Sequence, residues 1–221
     1  MRAVSISRLH FPVTTLGPGS RIGIWFQGCS IRCHGCISAD TWAAGRGQTT
    51  VTEIMRAIER WLPEANGITI SGGEPFDQCE ALQELLIAIK AATAANVLLY
   101  SGYKIEEISA KVSRMAGLID ALISDPYLVD APQTLALRGS DNQRLHLLTS
   151  VGQEAFAQYQ RKLTAEDRSL DLMMDGDGTV WFVGIPGRED FKRLSAALSR
   201  HNHQLMTSQD CSKETAEEKS R

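Results

Sequence analysis

From Arg21 to Ser150, short β-branched and aromatic runs alternate with stretches whose apolar residues recur at helical spacing. RIGIWFQ at 21–27 predicts a strand. Val51–Leu62 predicts a helix, with Val51, Ile54, Met55, Ile58, Trp61 and Leu62 on one face and Thr50 as its cap. GITIS at 67–71 predicts a buried strand that stops at Gly72-Gly73, and Asp77–Ala95 a helix with the stripe Leu82, Leu85, Leu86 and Ile89. NVLLY at 96–100, a helix over Ile105–Met115, a strand over Ile119–Ser124 and RLHLLT at 144–149 continue the series. Such alternation predicts βαβ crossovers and a parallel sheet.

A closed eight-fold barrel takes ~250 residues, whereas the span to Ser150 has room for about five or six strands. The expected fold is therefore α/β, an incomplete, splayed parallel β/α barrel over residues 1–150, with a doubly wound sheet as the alternative. Residues 151–206 read as a small C-terminal extension. In it Gln153–Leu163 is expected to be helical, and Asp171–Asp175 and Thr179–Ile185 flank a hairpin turn at Gly176-Asp177-Gly178. This turn lacks the ligand spacing of an EF-hand. Arg188–His203 reads as a last amphipathic helix with Phe191, Leu194 and Leu198 inward. Residues 207–221 are polar, without an apolar stripe, and are expected to form a flexible tail.

The 221 residues are 43% hydrophobic and 22% charged, as in an ordinary globular chain. A net charge of −3 gives no electrostatic reason to expect nucleic acid or an anionic membrane as partner. No apolar run reaches the ~18–20 residues of a membrane span. The N-terminal stretch lacks the apolar core of a secretory signal, so the expected compartment is the cytoplasm.

Five cysteines, an odd number, argue against a disulfide framework. Cys29, Cys33 and Cys36 are spaced C-x3-C-x2-C just after the first predicted strand. Clustered thiolates favour zinc, Cu(I) or iron–sulfur centres. A structural zinc takes four protein ligands. A cubane cluster held by three thiolates keeps one iron for a non-protein ligand. Zinc completed by His34, His10 or Asp40 stays open at this point, as do three unliganded thiols. Cys79 and Cys211 read as bystanders. Ser71-Gly72-Gly73-Glu74-Pro75 ends the second strand, where paired glycines let the backbone approach a ligand. Cysteine loop and glycine turn then open side by side on one rim.

C-x3-C-x2-C followed by GGE-P resembles the radical S-adenosylmethionine superfamily. Thr15-Leu-Gly-Pro-Gly-Ser-Arg21, Trp25-Phe-Gln-Gly-Cys29 and Asp40-Thr-Trp42 are similar to its glycyl-radical-enzyme activating enzymes. Gly35, Ser101-Gly-Tyr-Lys104 and Arg138-Gly-Ser-Asp-Asn-Gln143 resemble in particular the activating proteins of anaerobic ribonucleoside-triphosphate reductases. The resemblance covers about residues 10–150. It implies that Cys29, Cys33 and Cys36 hold a [4Fe-4S] cluster whose fourth iron binds the amino and carboxylate groups of S-adenosylmethionine. It also implies that Gly72, Gly73 and Glu74 help hold the amino group, and that Gly35, Cys36 and Ile37 lie along the adenosyl part. Ser101 and Gly102 would line the adenosine. Arg138, Ser140, Asn142 and Gln143 would reach the same rim or form a hydrogen-bonded loop that closes the barrel's open side.

The implied reaction begins with an electron from a reductant such as flavodoxin or ferredoxin. It splits the sulfonium homolytically, and the 5′-deoxyadenosyl radical abstracts hydrogen from a glycine of a partner glycyl radical enzyme, a class III ribonucleotide reductase by the nearer match. The barrel's open side would admit that partner. Two departures stand out. Leu137 replaces an aromatic residue, and the chain continues from Ser150 to Arg221 where those activators end. The extension would cover the open side, dimerise or select another partner. The alternatives are therefore the same chemistry on a peptide, nucleotide or other small molecule, or a non-catalytic zinc-binding module.

Overall fold

The computed structural model describes residues 2–174 and 179–204. At its centre lies a seven-stranded sheet of β1 (Ala3–Val13), β2 (Arg21–Phe26), β3 (Gln48–Thr50), β4 (Gly67–Gly72), β5 (Asn96–Tyr100), β6 (Ala121–Ser124) and β7 (Arg144–Leu147). The spatial order is β3-β1-β2-β4-β5-β6-β7. Neighbours β2, β4, β5 and β6 run parallel, while β1 is antiparallel to β2 and β3, and β7 to β6. All five strands expected between Arg21 and Ser150 are present, but the fifth runs against its neighbour. The segment that precedes it, residues 125–143, is an irregular loop with no crossover helix. Strands β1 and β3 are additions that the sequence reading lacked.

Helices α1 (Val51–Ile58), α2 (Cys79–Ala92) and α3 (Ile105–Arg114) link the parallel strands. The start of α1 is fixed by a capping box, in which the Thr50 hydroxyl accepts from Glu53 N and the Glu53 carboxylate accepts from Thr50 N. All three helices cover one face of the sheet. Ile22, Ile24, Phe26, Ile68, Ile70, Val97 and Leu99 pack there against Ile54, Ile58, Leu82, Leu85, Leu86, Ile89 and Ile108. Alternate strand residues point the other way. On that second face Leu98, Ala121, Ile123 and Leu145 meet Leu137 of the 125–143 loop and Phe156 of α4 (Ser150–Phe156). The expected helix over Gln153–Leu163 thus ends early, in a 3-10 turn over Ala157–Tyr159. Beyond it the backbone pairs instead with the 125–143 loop, through Ala136 N to Arg161 O (3.1 Å) and Leu163 N to Thr134 O (2.8 Å).

Strands β8 (Leu170–Met174) and β9 (Val180–Gly184) pair antiparallel, and α5 (Asp190–Ser199) follows. The expected turn at 176–178, the tail 207–221 and Cys211 lie outside the described residues. This hairpin packs Val183, Met173 and Ile185 against Val13, Leu16 and Trp25 on the second face. Its Asp171 carboxylate accepts from Thr14 N (2.7 Å) and Thr14 Oγ1 (2.6 Å), at the turn that feeds β2. That turn lies at the opposite end of the strands from the cysteine loop. Arg21 sits beside it, fully buried, donating to Thr69 Oγ1 (2.6 Å), Ile68 O (2.8 Å) and Asn96 Oδ1 (2.8 Å). Burial lowers its pKa only to about 10, so it stays charged at neutral pH. Thr15–Arg21 is therefore structural. Among the described residues no helix is long and apolar enough to cross a membrane.

Candidate functional site

The C-terminal ends of β2 and β4 lie in register, Phe26 opposite Gly72. The chain continues the ladder beyond them, with Gly73 N donating to Phe26 O (2.8 Å) and Glu74 N to Gly28 O (2.9 Å). The glycine turn and the cysteine loop are thereby joined backbone to backbone. No side chain fits between them. A Cβ on Gly73 would stand 2.1 Å from Gly28 O, and Gly72 has φ +101° with Phe26 O at 2.5 Å from its would-be Cβ.

Side chains tie in the loop after β5. Glu74, 1% exposed, accepts from Phe76 N (3.0 Å), Ser101 Oγ (2.9 Å) and Gly102 N (2.8 Å). Burial outweighs these donors and pushes its pKa up to about 7. Thus Ser101, read from the sequence as an adenosine contact, is held through Glu74. Asp77 accepts from Ser30 N (2.8 Å), Ser30 Oγ (2.9 Å) and Tyr103 OH (2.8 Å), while the Ser30 and Tyr103 hydroxyls lie 3.0 Å apart. Ile31 lies against Gly102. The residue after Cys29 is therefore clasped from two neighbouring loops.

Cys29, Cys33 and Cys36 are each half-buried on this loop. Burial raises all three thiols, Cys36 to about 11, and the Cys33 and Cys36 thiols are raised further by the charge of their cysteine neighbours. Glu74 and Asp77 add like charge at Cys29. Three thiols in mutual electrostatic reach, resisting ionisation beside two carboxylates, form a donor set that a cationic metal centre would deprotonate and neutralise. Among the described residues no group of three or more His, Cys, Asp or Glu side chains is gathered to hold a single metal ion. Thiolate donors suit a soft metal centre. Gly35 (φ +76°) lies under Val129 and Tyr127, and Ile37 is 43% exposed beside it. Asn142 donates to Pro126 O (2.7 Å), and its Oδ1 is buried without a partner. Ser140 Oγ and Gln143 Oε1 accept from Leu128 N (3.1 Å) and Gly139 N (2.8 Å), so much of the 138–143 run closes its own loop.

A family model described as a 4Fe-4S single cluster domain matches residues 15–146. The chain is 33% identical over 134 residues to the anaerobic ribonucleoside-triphosphate reductase-activating protein of Enterobacteria phage T4, covering 58% of this chain and 85% of that protein. It is 28% identical over 148 residues to the protein of the same name from Escherichia coli (strain K12), covering 63% and 96%. Identity to the pyruvate formate-lyase-activating enzyme of Listeria monocytogenes serovar 1/2a is 31% over 137 residues, covering 58% and 55%. The chain belongs to the glycyl-radical-enzyme activases. This activase is a radical S-adenosylmethionine enzyme, its cofactors are a [4Fe-4S] cluster and S-adenosylmethionine, and its partner is a glycyl radical enzyme. The cluster reading thereby displaces zinc. Sequence reasoning missed the activase's Asp77 and Tyr103, because their role comes from three loops meeting at the rim and no spacing along the chain records it.

Proposed function

We propose that Cys29, Cys33 and Cys36 ligate the activase's cluster. Its S-adenosylmethionine lies between the Gly72–Glu74 turn and the Gly35–Ile37 segment, and its partner is a class III ribonucleotide reductase. The observation that carries this reading is the backbone junction of the cysteine loop with the glycine turn, which sets the three-cysteine loop beside the β4 terminus. When bound, the cluster and S-adenosylmethionine would supply the 5′-deoxyadenosyl radical chemistry needed to remove a hydrogen atom from the partner's glycine. The chain's own residues position and shield. Glu74, Ser101 and Asp77 fix the loops, and Tyr127 and Val129 wall the Gly35 side. Reducing electrons come from a flavodoxin or ferredoxin, and the enzyme works in the cytoplasm. The similarity to two reductase-activating proteins supports the choice of partner.

We read the sheet as a splayed half-barrel. Its parallel strands follow one another in chain order and all three crossover helices lie on one face. A doubly wound sheet places helices on both faces.

The test is anaerobic incubation of the reduced enzyme and S-adenosylmethionine with a class III reductase. The expected result is a glycyl-radical signal by electron paramagnetic resonance, lost together with most of the iron in Cys29→Ala, Cys33→Ala or Cys36→Ala. No signal with the reductase refutes the partner. A fully iron-loaded Cys variant refutes the ligand assignment.

A further inference from the structure

Residues 125–143 form a long loop with no helix or strand of its own. Loops beyond ~12–15 residues are usually functional or disordered. This one is gripped from two sides. On one side it meets the cysteine loop, where a Cβ on Gly35 would stand 3.2 Å from Val129 Cγ2 and 3.5 Å from Tyr127 Cε1. On the other it meets the chain beyond Ser150. Leu135 pairs antiparallel with Lys162, between the Ala136 N–Arg161 O and Leu163 N–Thr134 O bonds. Buried Arg138 donates through Nη1 to Tyr159 O (3.3 Å). Further on, Gln133 Nε2 donates to Pro186 O (2.9 Å), and Arg188 Nη2 to Ala131 O and to Leu128 O (3.5 Å). Leu128 and Ala131 flank Val129 in the chain.

The gripping segment is itself seated on the sheet. Phe156 is fully buried against Leu98, Ile123 and Leu137, and Val183 and Ile185 pack against Val13, Leu16 and Trp25. Thr15 Oγ1 also donates to Val183 O (3.0 Å). From Val183 the chain passes directly to Pro186 and Arg188, so their hold on the loop is referred to the sheet.

We propose that the chain beyond Ser150 is an internal brace, in which Gln133 and Arg188 are positioning residues that hold Tyr127 and Val129 against the Gly35 side of the cofactor site. The inference rests on the reading that seats S-adenosylmethionine beside Gly35–Ile37. A wall free to move must be ordered each time the cofactor binds, and that ordering lowers affinity; a wall fixed beforehand avoids the loss. The brace thus acts on cofactor affinity through Val129, without touching the cofactor.

Gln133→Ala combined with Arg188→Ala removes the side-chain donors and leaves the apolar seat of the segment in place. In iron-loaded protein without S-adenosylmethionine, hydrogen–deuterium exchange should speed at the amides of residues 127–131 and stay unchanged in β4. In cleavage of S-adenosylmethionine by the dithionite-reduced enzyme alone, KM for S-adenosylmethionine should rise about fivefold at unchanged kcat, the change that about 1 kcal/mol represents. Should the double variant lose protection in β4, Arg188→Ala alone carries the same two expectations. Unchanged exchange at 127–131 overturns the brace and leaves the cofactor reading standing. Faster exchange there with unchanged KM overturns the placement of S-adenosylmethionine beside Gly35, and the proposal with it.

Discussion

Replacing Glu74 by glutamine is the sharpest test of how the rim is held. The carboxylate accepts from Phe76 N and Ser101 Oγ on one oxygen and from Gly102 N on the other. An amide has one oxygen. In either orientation its NH2 faces a backbone N–H, that of Phe76 or that of Gly102, and a buried donor is left unsatisfied. That costs about 1–3 kcal/mol. In a domain of this size each kcal/mol lowers Tm by about 2–4 °C. The pH dependence adds a second signature. The folded-state pKa is raised from 4.5 to about 7, chiefly by burial. Glu74's contribution to stability is therefore fully present below pH 4.5 and is lost as pH rises through about 7. Glutamine does not titrate. Urea denaturation at pH 5 and pH 8 under anaerobic conditions should show the variant less stable at pH 5, with the deficit shrinking at pH 8. A variant within about 0.5 kcal/mol of wild type at pH 5 refutes the hydrogen-bond accounting, and a deficit that grows with pH refutes the sign of the shift.

Two further changes probe other joints. Gly73→Ala would drive a methyl into Gly28 O, 2.1 Å from its Cβ, and push the cysteine loop off the β4 terminus. S-adenosylmethionine affinity, measured by equilibrium dialysis of the iron-loaded protein, should drop about tenfold or more, a change of about 1.4 kcal/mol; unchanged affinity would show that the glycine turn does not seat the cofactor. Asp171→Ala removes the acceptor of Thr14 N and Thr14 Oγ1. It should cost about 1 kcal/mol and speed limited proteolysis of residues 170–184 while leaving iron content intact; equal proteolysis rates would show that the apolar contacts of Val183 suffice.

The parallel core was legible because each of its strands is a compact β-branched run followed by a helix with a clear stripe, as in GITIS and the Leu82–Ile89 helix. The cysteine loop was legible for a similar reason, since its chemistry lies within Cys29–Cys36. Strand β1 was harder to see. Only Val4, Ile6 and Val13 are buried along it, and its apolar alternation changes phase at a bulge between Ile6 and Arg8. The direction of β7 was hidden because residues 125–143 are long enough for a parallel crossover, yet carry no helical stripe. The rim clasp was beyond reach. Ser30, Asp77 and Tyr103 follow three different strands, and their meeting depends on sheet order.

The clasp also bears on the enzyme's life after contact with air. Oxygen dismantles exposed iron–sulfur centres, and a loop ordered by its metal alone would collapse when the metal departs. Here Ser30 is tied to Asp77, and Gly28 to Glu74 and Thr41, by bonds between protein groups alone. Reconstitution of air-exposed enzyme with iron, sulfide and reductant is therefore expected to succeed without a denaturation and refolding step.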